Sequence, residues 1–413
     1  MRLITLLLFA FLILPKFSEG FAILTHEAVI DANWDKAILP ALKKKFPNNS
    51  DSDYIKAKAY TYGGAIMPDM GFFPFAPILF TNLVHYVRSG DFTQSLLDDA
   101  NDLNEYAFAL GALAHYNSDN YGHPLGVNLA VPMVYPKDKK KYGDNITYEN
   151  KPIDHQRMEF AFDVLQIARG NYLKDNYNSF IGFEISKPLL ERAFLKTYGI
   201  ELGKVFGNLD LAISSFRFFV QSIFPPLTKA AWVNKKDEIQ KLNPEITDQT
   251  FNYTSNRKEY EKNWGKTPLG VGLIAFAIKI SPKMIGPSRA LRFRIPTPEA
   301  EKVFKNCFDT VLFHYDESIK QHSNGKLILQ NLDYDTGLPS VLCEYSLADD
   351  TYHKLMKCLK HDHFSQVTPE LTANIIQFYG LKASNDLSIE TIYKTLNKNK
   401  TKCPQSNSQM QNQ

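Results

Sequence analysis

Ala107-Phe108-Ala109-Leu110-Gly111-Ala112-Leu113-Ala114 carries no charge on any face and runs directly into His115-Tyr116-Asn117-Ser118-Asp119. A helix that is uncharged all round is buried all round, not amphipathic, and so becomes the centre on which other elements pack. His115 and Asp119 then fall one turn apart on one side of it. An ionised carboxylate in apolar surroundings costs several kcal/mol unless it is paired, hydrogen-bonded or bound to a metal. A histidine four residues away supplies a second metal ligand on the same face. Gly122-His123-Pro124 is expected to end the helix and to offer a third ligand at its exit. A lone H-x-x-x-D pattern is weak by itself, because a hydrogen-bonded core pair has the same spacing.

The rest of the chain strengthens the metal reading. Of ten histidines, five (His26, His85, His115, His123 and His155) lie in the first 160 residues, and the next is His314. His155 and Glu159 repeat the four-residue spacing on a second helix, which Pro152 and Asp154 open and Gly170 stops. Asp69 lies in a breaker-rich turn, Met67-Pro68-Asp69-Met70-Gly71, with Phe72, Phe73 and Phe75 close behind it. Zinc takes nitrogen and oxygen ligands, and catalytic zinc keeps one position open for water. His26, Asp69, His85, His115, Asp119, His123, His155 and Glu159 make eight such ligands, too many for one ion and enough for two or three.

Composition removes several alternatives. With 413 residues, 44% hydrophobic, the chain can bury a large core, and a net charge of +3 does not imply electrostatic capture of nucleic acid. Met1-Arg2, the uncharged run Leu3 to Leu14 and Ser18-Glu19-Gly20 have the three regions of a secretory signal peptide. Export to the periplasm or full secretion follows as an expectation. The four cysteines, Cys307, Cys343, Cys358 and Cys403, permit two bridges in three connectivities and match no zinc signature.

Along the chain, Thr25 is placed to cap a helix beginning near His26, and Thr81 to Val87 puts His85 in a helix. Residues 125–150 read as loop and residues 185–232 as helical and aromatic-rich. Few segments alternate with period two and no internal repeat is present, so the expected fold is all-α and multi-helical. The division expected is a signal peptide at 1–20, a helical unit at 21–235, a charged and then apolar extension at 236–298, a further helical region at 299–395 and a disordered polar tail at 396–413. The apolar and basic run from Leu269 to Pro298 is expected to pack ordinarily, a membrane-surface role being the alternative.

The ordered set His26, Asp69, His85, His115-x-x-x-Asp119, Gly122-His123 and His155-x-x-x-Glu159 resembles the zinc-dependent phospholipase C family, whose fold is shared with the S1/P1-type nucleases. The resemblance covers about residues 21–170 with specific motifs and the helices to about 235 more loosely; beyond that the chain is similar to the extended form of bacterial relatives. It implies an all-helical domain with a first zinc on Asp69, His85, His115 and Asp119, and a second on His123, His155 and Glu159. A third would be held by His26, a bridging Asp119, and the amino group and carbonyl of the mature N-terminal residue. Cleavage after Gly20 makes that residue Phe21, where the family usually has tryptophan. Asp69 is the implied general base. The implied reaction is hydrolysis of a phospholipid to diacylglycerol and a phosphomonoester headgroup, with Phe72, Phe73 and Phe75 as lining of a headgroup or lipid entrance. Two alternatives stand beside it: single-strand nuclease activity, since aromatic platforms serve bases as well, and a non-catalytic, zinc-stabilised interaction protein. No stable protein partner is implied.

Overall fold

The structure is a computed structural model and describes residues 23–172, 183–242, 244, 291–381 and 388–399. Among these every regular element is helical, and the sole extended pairing is an isolated bridge between Leu332 and Pro339. In chain order the helices are α1 (Ile23–Asn33), α2 (Leu39–Lys45), α3 (Asp51–Ile66), α4 (Ile78–Tyr86), α5 (Ser89–Asp98), α6 (Leu103–Gly122), α7 (Asn128–Val134), α8 (Pro136–Tyr142) and α9 (Pro152–Ala168). They continue with α10 (Lys187–Tyr198), α11 (Leu202–Val205), α12 (Leu209–Phe218), α13 (Phe224–Leu242), α14 (Pro298–Ser323), α15 (Ser346–His361), α16 (Pro369–Phe378) and α17 (Ile389–Asn399). None is long and apolar enough to cross a membrane.

The uncharged stretch forms α6, buried along almost its whole length as its composition requires. Asp102 caps it by accepting the Glu105 N–H at 2.8 Å. Its main partner is α3, which starts at a reciprocal cap between Ser50 and Asp53. The two helices approach through glycines: a Cβ on Gly111 would lie 2.0 Å from the Thr61 carbonyl oxygen, and one on Gly64 would lie 1.9 Å from that of Phe108. Backbones this close leave no room for a methyl group, so the crossing point is set by where glycine occurs.

Three differences from the sequence expectations have local causes. Pro124 does not end the helix; a π turn over His123–Val127 carries α6 into α7, so the stretch expected as loop is helical to Tyr142. Proline at the second position of that turn withholds an N–H that the widened turn does not need. Thr25 lies inside α1 and donates its hydroxyl to Asp163 Oδ1 at 2.7 Å instead of capping the helix. Helix α17 runs to Asn399, into the stretch expected as tail.

One core runs from Ile23 to Ile392, so α14 to α17 share it with the N-terminal helices. Helix α14 lies along α6, the π turn, α7 and α1, and Tyr315 donates its hydroxyl to the Leu110 carbonyl at 2.9 Å. Cys343 is disulfide-bonded, while Cys307 and Cys358 are free thiols. Most of the 236–298 extension, including Leu269 to Arg289, lies outside the described residues, as do the signal segment and Phe21.

Candidate metal centre

All eight residues singled out as ligands converge on the C-terminal half of α6 and the π turn that follows it, and none is more than 3% exposed. Helix α1 brings His26, the 3-10 turn after α3 brings Asp69, α4 brings His85, α6 brings His115 and Asp119, the π turn brings His123, and α9 brings His155 and Glu159. Their ligand atoms form three groups, each within 4.8 Å: His26 with Asp69 and His115, His85 with His115 and Asp119, and His123 with His155 and Glu159.

Hydrogen bonds to main-chain carbonyls decide which imidazole nitrogens face inward. His115 Nδ1 donates to the Ala65 carbonyl at 2.8 Å, and His85 Nδ1 donates to that of Thr81 at 2.9 Å. A carbonyl only accepts, so Nδ1 carries the proton in both rings and Nε2 points at the cluster. The two Nε2 atoms are 3.4 Å apart, and each faces Asp119 Oδ2, at 3.4 Å from His85 and 3.0 Å from His115. Asp69 Oδ1 stands 3.4 Å from His85 Nε2. His26 Nε2 stands 3.5 Å from Asp119 Oδ1 and 3.9 Å from Asp69 Oδ2. Asp119 therefore touches both of the first two groups, and Asp69 reaches His26 as well as His85.

The second centre begins where the π turn redirects His123. Its Nε2 is 3.8 Å from Asp119 Oδ2, while its Nδ1 is 3.5 Å from His155 Nε2 and 3.9 Å from Glu159 Oε1. His155 Nδ1 is 2.8 Å from Glu159 Oε1.

The donor set fits a cation. Both oxygens of Asp69 and both of Asp119 are buried with no N–H or hydroxyl donor other than the surrounding imidazoles. Two buried carboxylates left this way are costly unless positive charge sits between them. Proton affinities respond to the same field. Burial opposes a charge on His85, but the hydrogen bonds and negative charges of Asp119 and Asp69 outweigh it and push its pKa up to about 10. His26, by contrast, is held down at about 3 by burial and by the neighbouring His115. Asp119, though buried, is held well below the usual carboxylate range by His115 and His85. Nitrogen and carboxylate donors with no thiolate are the set that catalytic zinc uses.

The aromatic residues after Asp69 separate. Phe73 is packed in the core against Phe216, at 4.5 Å between ring centroids, and against Phe219 and Phe224, which removes it from any entrance. Phe72 stands edge-on to His85 at 6.5 Å, and Phe75, half-buried, holds a left-handed φ of 67°.

Three further residues reach the site without a signal in the sequence. Asn128, in a stretch expected as loop, places its Oδ1 2.9 Å from His155 Nε2 and donates its Nδ2 to the Asp335 carbonyl at 2.7 Å. Tyr334 packs its ring 5.0 Å from that of His85 and 5.8 Å from that of His115. Asp335 and Tyr334 come from about two hundred residues down the chain.

An all-helical fold with a buried cluster of imidazoles and carboxylates is the class of arrangement that can hold metal ions. Residues 25–208 match the zinc dependent phospholipase C family, a span that includes all eight ligand candidates. No curated protein and no solved structure matches the chain.

Proposed function

We propose that this protein is an exported zinc-dependent phosphodiesterase of the phospholipase C type, cleaving phospholipids to diacylglycerol and a phosphomonoester headgroup. The observation that carries it is Asp119, a buried carboxylate shared between the His26 and His85/His115 sides, one helical turn from the His123 that begins the second centre. In this reading Asp69, His85, His115 and Asp119 hold one zinc, and His123, His155 and Glu159 hold another. His26, Asp119 and the main chain of Phe21 would hold a third. Zinc bound there supplies Lewis acidity, lowering the pKa of a water and neutralising phosphoryl oxygens. The protein's part is to fix geometry and move the proton: Asp69 Oδ accepts it from the attacking water. The buried setting excludes competing water and strengthens each electrostatic contact. Phe72 and Phe75 are the residues proposed to meet the headgroup or acyl glycerol.

A disulfide at Cys343 supports an oxidising compartment, and with it the signal peptide at Met1–Gly20. Phosphorus NMR of mixed-phospholipid liposomes, incubated with zinc-loaded protein beginning at Phe21, tests the proposal. Phosphomonoester headgroups are the expected product. Unchanged lipid with cleavage of single-stranded DNA would transfer the reading to a nuclease. Zinc with no exchangeable water, and turnover of neither substrate, would leave a non-catalytic, zinc-stabilised protein. His115→Ala and Asp119→Ala are each expected to lose zinc and activity together, and turnover by either without metal would overturn the mechanism.

A further inference from the structure

Between α14 and α15 the chain forms a strap that lies across the end of α6. Asp333 shapes it by accepting the N–H groups of Asp335 at 2.9 Å and Thr336 at 3.1 Å on its Oδ1. Gly337, at a φ of +70°, passes so close to α6 that a Cβ there would lie 2.8 Å from the Asn120 carbonyl oxygen. Tyr334 donates its N–H to the His85 carbonyl at 3.3 Å. The Asp335 carboxylate accepts the hydroxyls of Tyr86 at 3.0 Å and Tyr345 at 2.5 Å, which fixes where its own carbonyl points.

That carbonyl receives Asn128 Nδ2. Because a carbonyl only accepts, the amide has one orientation, with its NH2 toward Asp335 and its oxygen toward His155. Asn128 Oδ1 therefore demands a proton from His155 Nε2, 2.9 Å away; the contact of that nitrogen with His123 Nδ1 is longer, at 3.5 Å. A neutral imidazole with its proton on Nε2 has its lone pair on Nδ1. His155 Nδ1 is buried without a hydrogen-bond partner, although Glu159 Oε1 is 2.8 Å from it.

We propose that Asn128, oriented by the main-chain carbonyl of Asp335, is a positioning residue that fixes His155 in the Nε2–H tautomer and so makes Nδ1 its metal-binding atom. The strap, which lies outside the family match at residues 25–208, thereby sets the ligand geometry of the second centre. The inference rests on the reading of His123, His155 and Glu159 as a metal site. Partners that hold the second nitrogen of a ligating histidine typically change metal affinity by about 10- to 100-fold when removed.

Two measurements test it. Long-range proton–nitrogen NMR on the metal-free protein, at a pH where His155 is neutral, is expected to show His155 protonated on Nε2. Observation of the Nδ1–H form would overturn the proposal whatever the variants do. Competitive zinc titration is then expected to show Asn128→Leu weakened about 10- to 100-fold at one site with the others unchanged. Asn128→Asp, which keeps an acceptor for Nε2–H, is expected to retain the tautomer and most of the affinity. An Asn128→Leu protein that folds and binds zinc like the wild type would sink the idea. A wild-type protein that takes up no zinc, but shows the Nε2–H tautomer, would instead overturn the metal reading on which it rests.

Discussion

Asp163 shows how one buried side chain ties helix α9 to the start of α1. It lies one turn beyond Glu159 and accepts the Thr25 hydroxyl at 2.7 Å and the Leu24 N–H at 3.2 Å. Burial outweighs these hydrogen bonds and raises its carboxyl from 3.8 to about 7. A carboxyl with a higher pKa folded than unfolded binds more protons in the folded state, so the stability it contributes falls as pH rises through that window. The loss is complete above the folded pKa and amounts to on the order of 4 kcal/mol. Asp163→Asn removes this titration. In urea unfolding of the metal-free protein, its stability relative to the wild type is expected to improve between pH 5 and pH 8, and an unchanged difference would contradict the assignment. At the same scale, the candidate ligands were legible in the sequence because the histidine and carboxylate spacing recurs on two helices, which one hydrogen-bonded core pair would not explain. Asn128 was not, because an amide is ordinary anywhere and only the folded chain puts His155 beside it.

Helices α3 and α6 form the frame on which both centres hang. Gly111→Ala would force a Cβ to within 2.0 Å of the Thr61 carbonyl oxygen, and backbone cannot yield as a side chain can. A loss of more than about 3 kcal/mol, or failure to fold, is expected in thermal melts. At Gly203, in α11, an added methyl group would meet nothing within 4 Å, so Gly203→Ala is expected to be neutral or to gain up to about 1 kcal/mol. Equal effects at the two positions would refute the close-approach account. Helix α6 itself follows from its composition, whereas the π turn at His123–Val127 does not. Glycine and proline in succession announce a helix end in an isolated segment, and here packing of α14 on the π turn and α7 keeps the chain helical past them.

At the scale of the whole molecule, the C-terminal helices complete the core that the N-terminal ones begin. Phe304, Cys307, Val311, Tyr315 and Ile319 of α14 are buried in that shared core. A chain ended after Leu242 would expose their partners on α6, α7 and α9 to water. Such a truncation is expected to lose cooperative unfolding and bound zinc, measured by circular dichroism melts and metal analysis. A cooperative melt with wild-type zinc content would show that the N-terminal helices suffice.

The sequence by itself determined an all-helical chain, a buried central helix and two histidine–carboxylate pairs one turn apart, the wider set of candidate ligands being implied by the family resemblance. Those properties are local: periodicity, charge exclusion and four-residue spacing act within a few turns. Only the tertiary structure decided that Phe73 belongs to the core, that His26 lies near Asp69 as well as Asp119, and that Tyr334 and Asp335 close over the site. Each of these depends on contacts between segments far apart in the chain, whose mutual placement is set by packing and not by any residue's own preference.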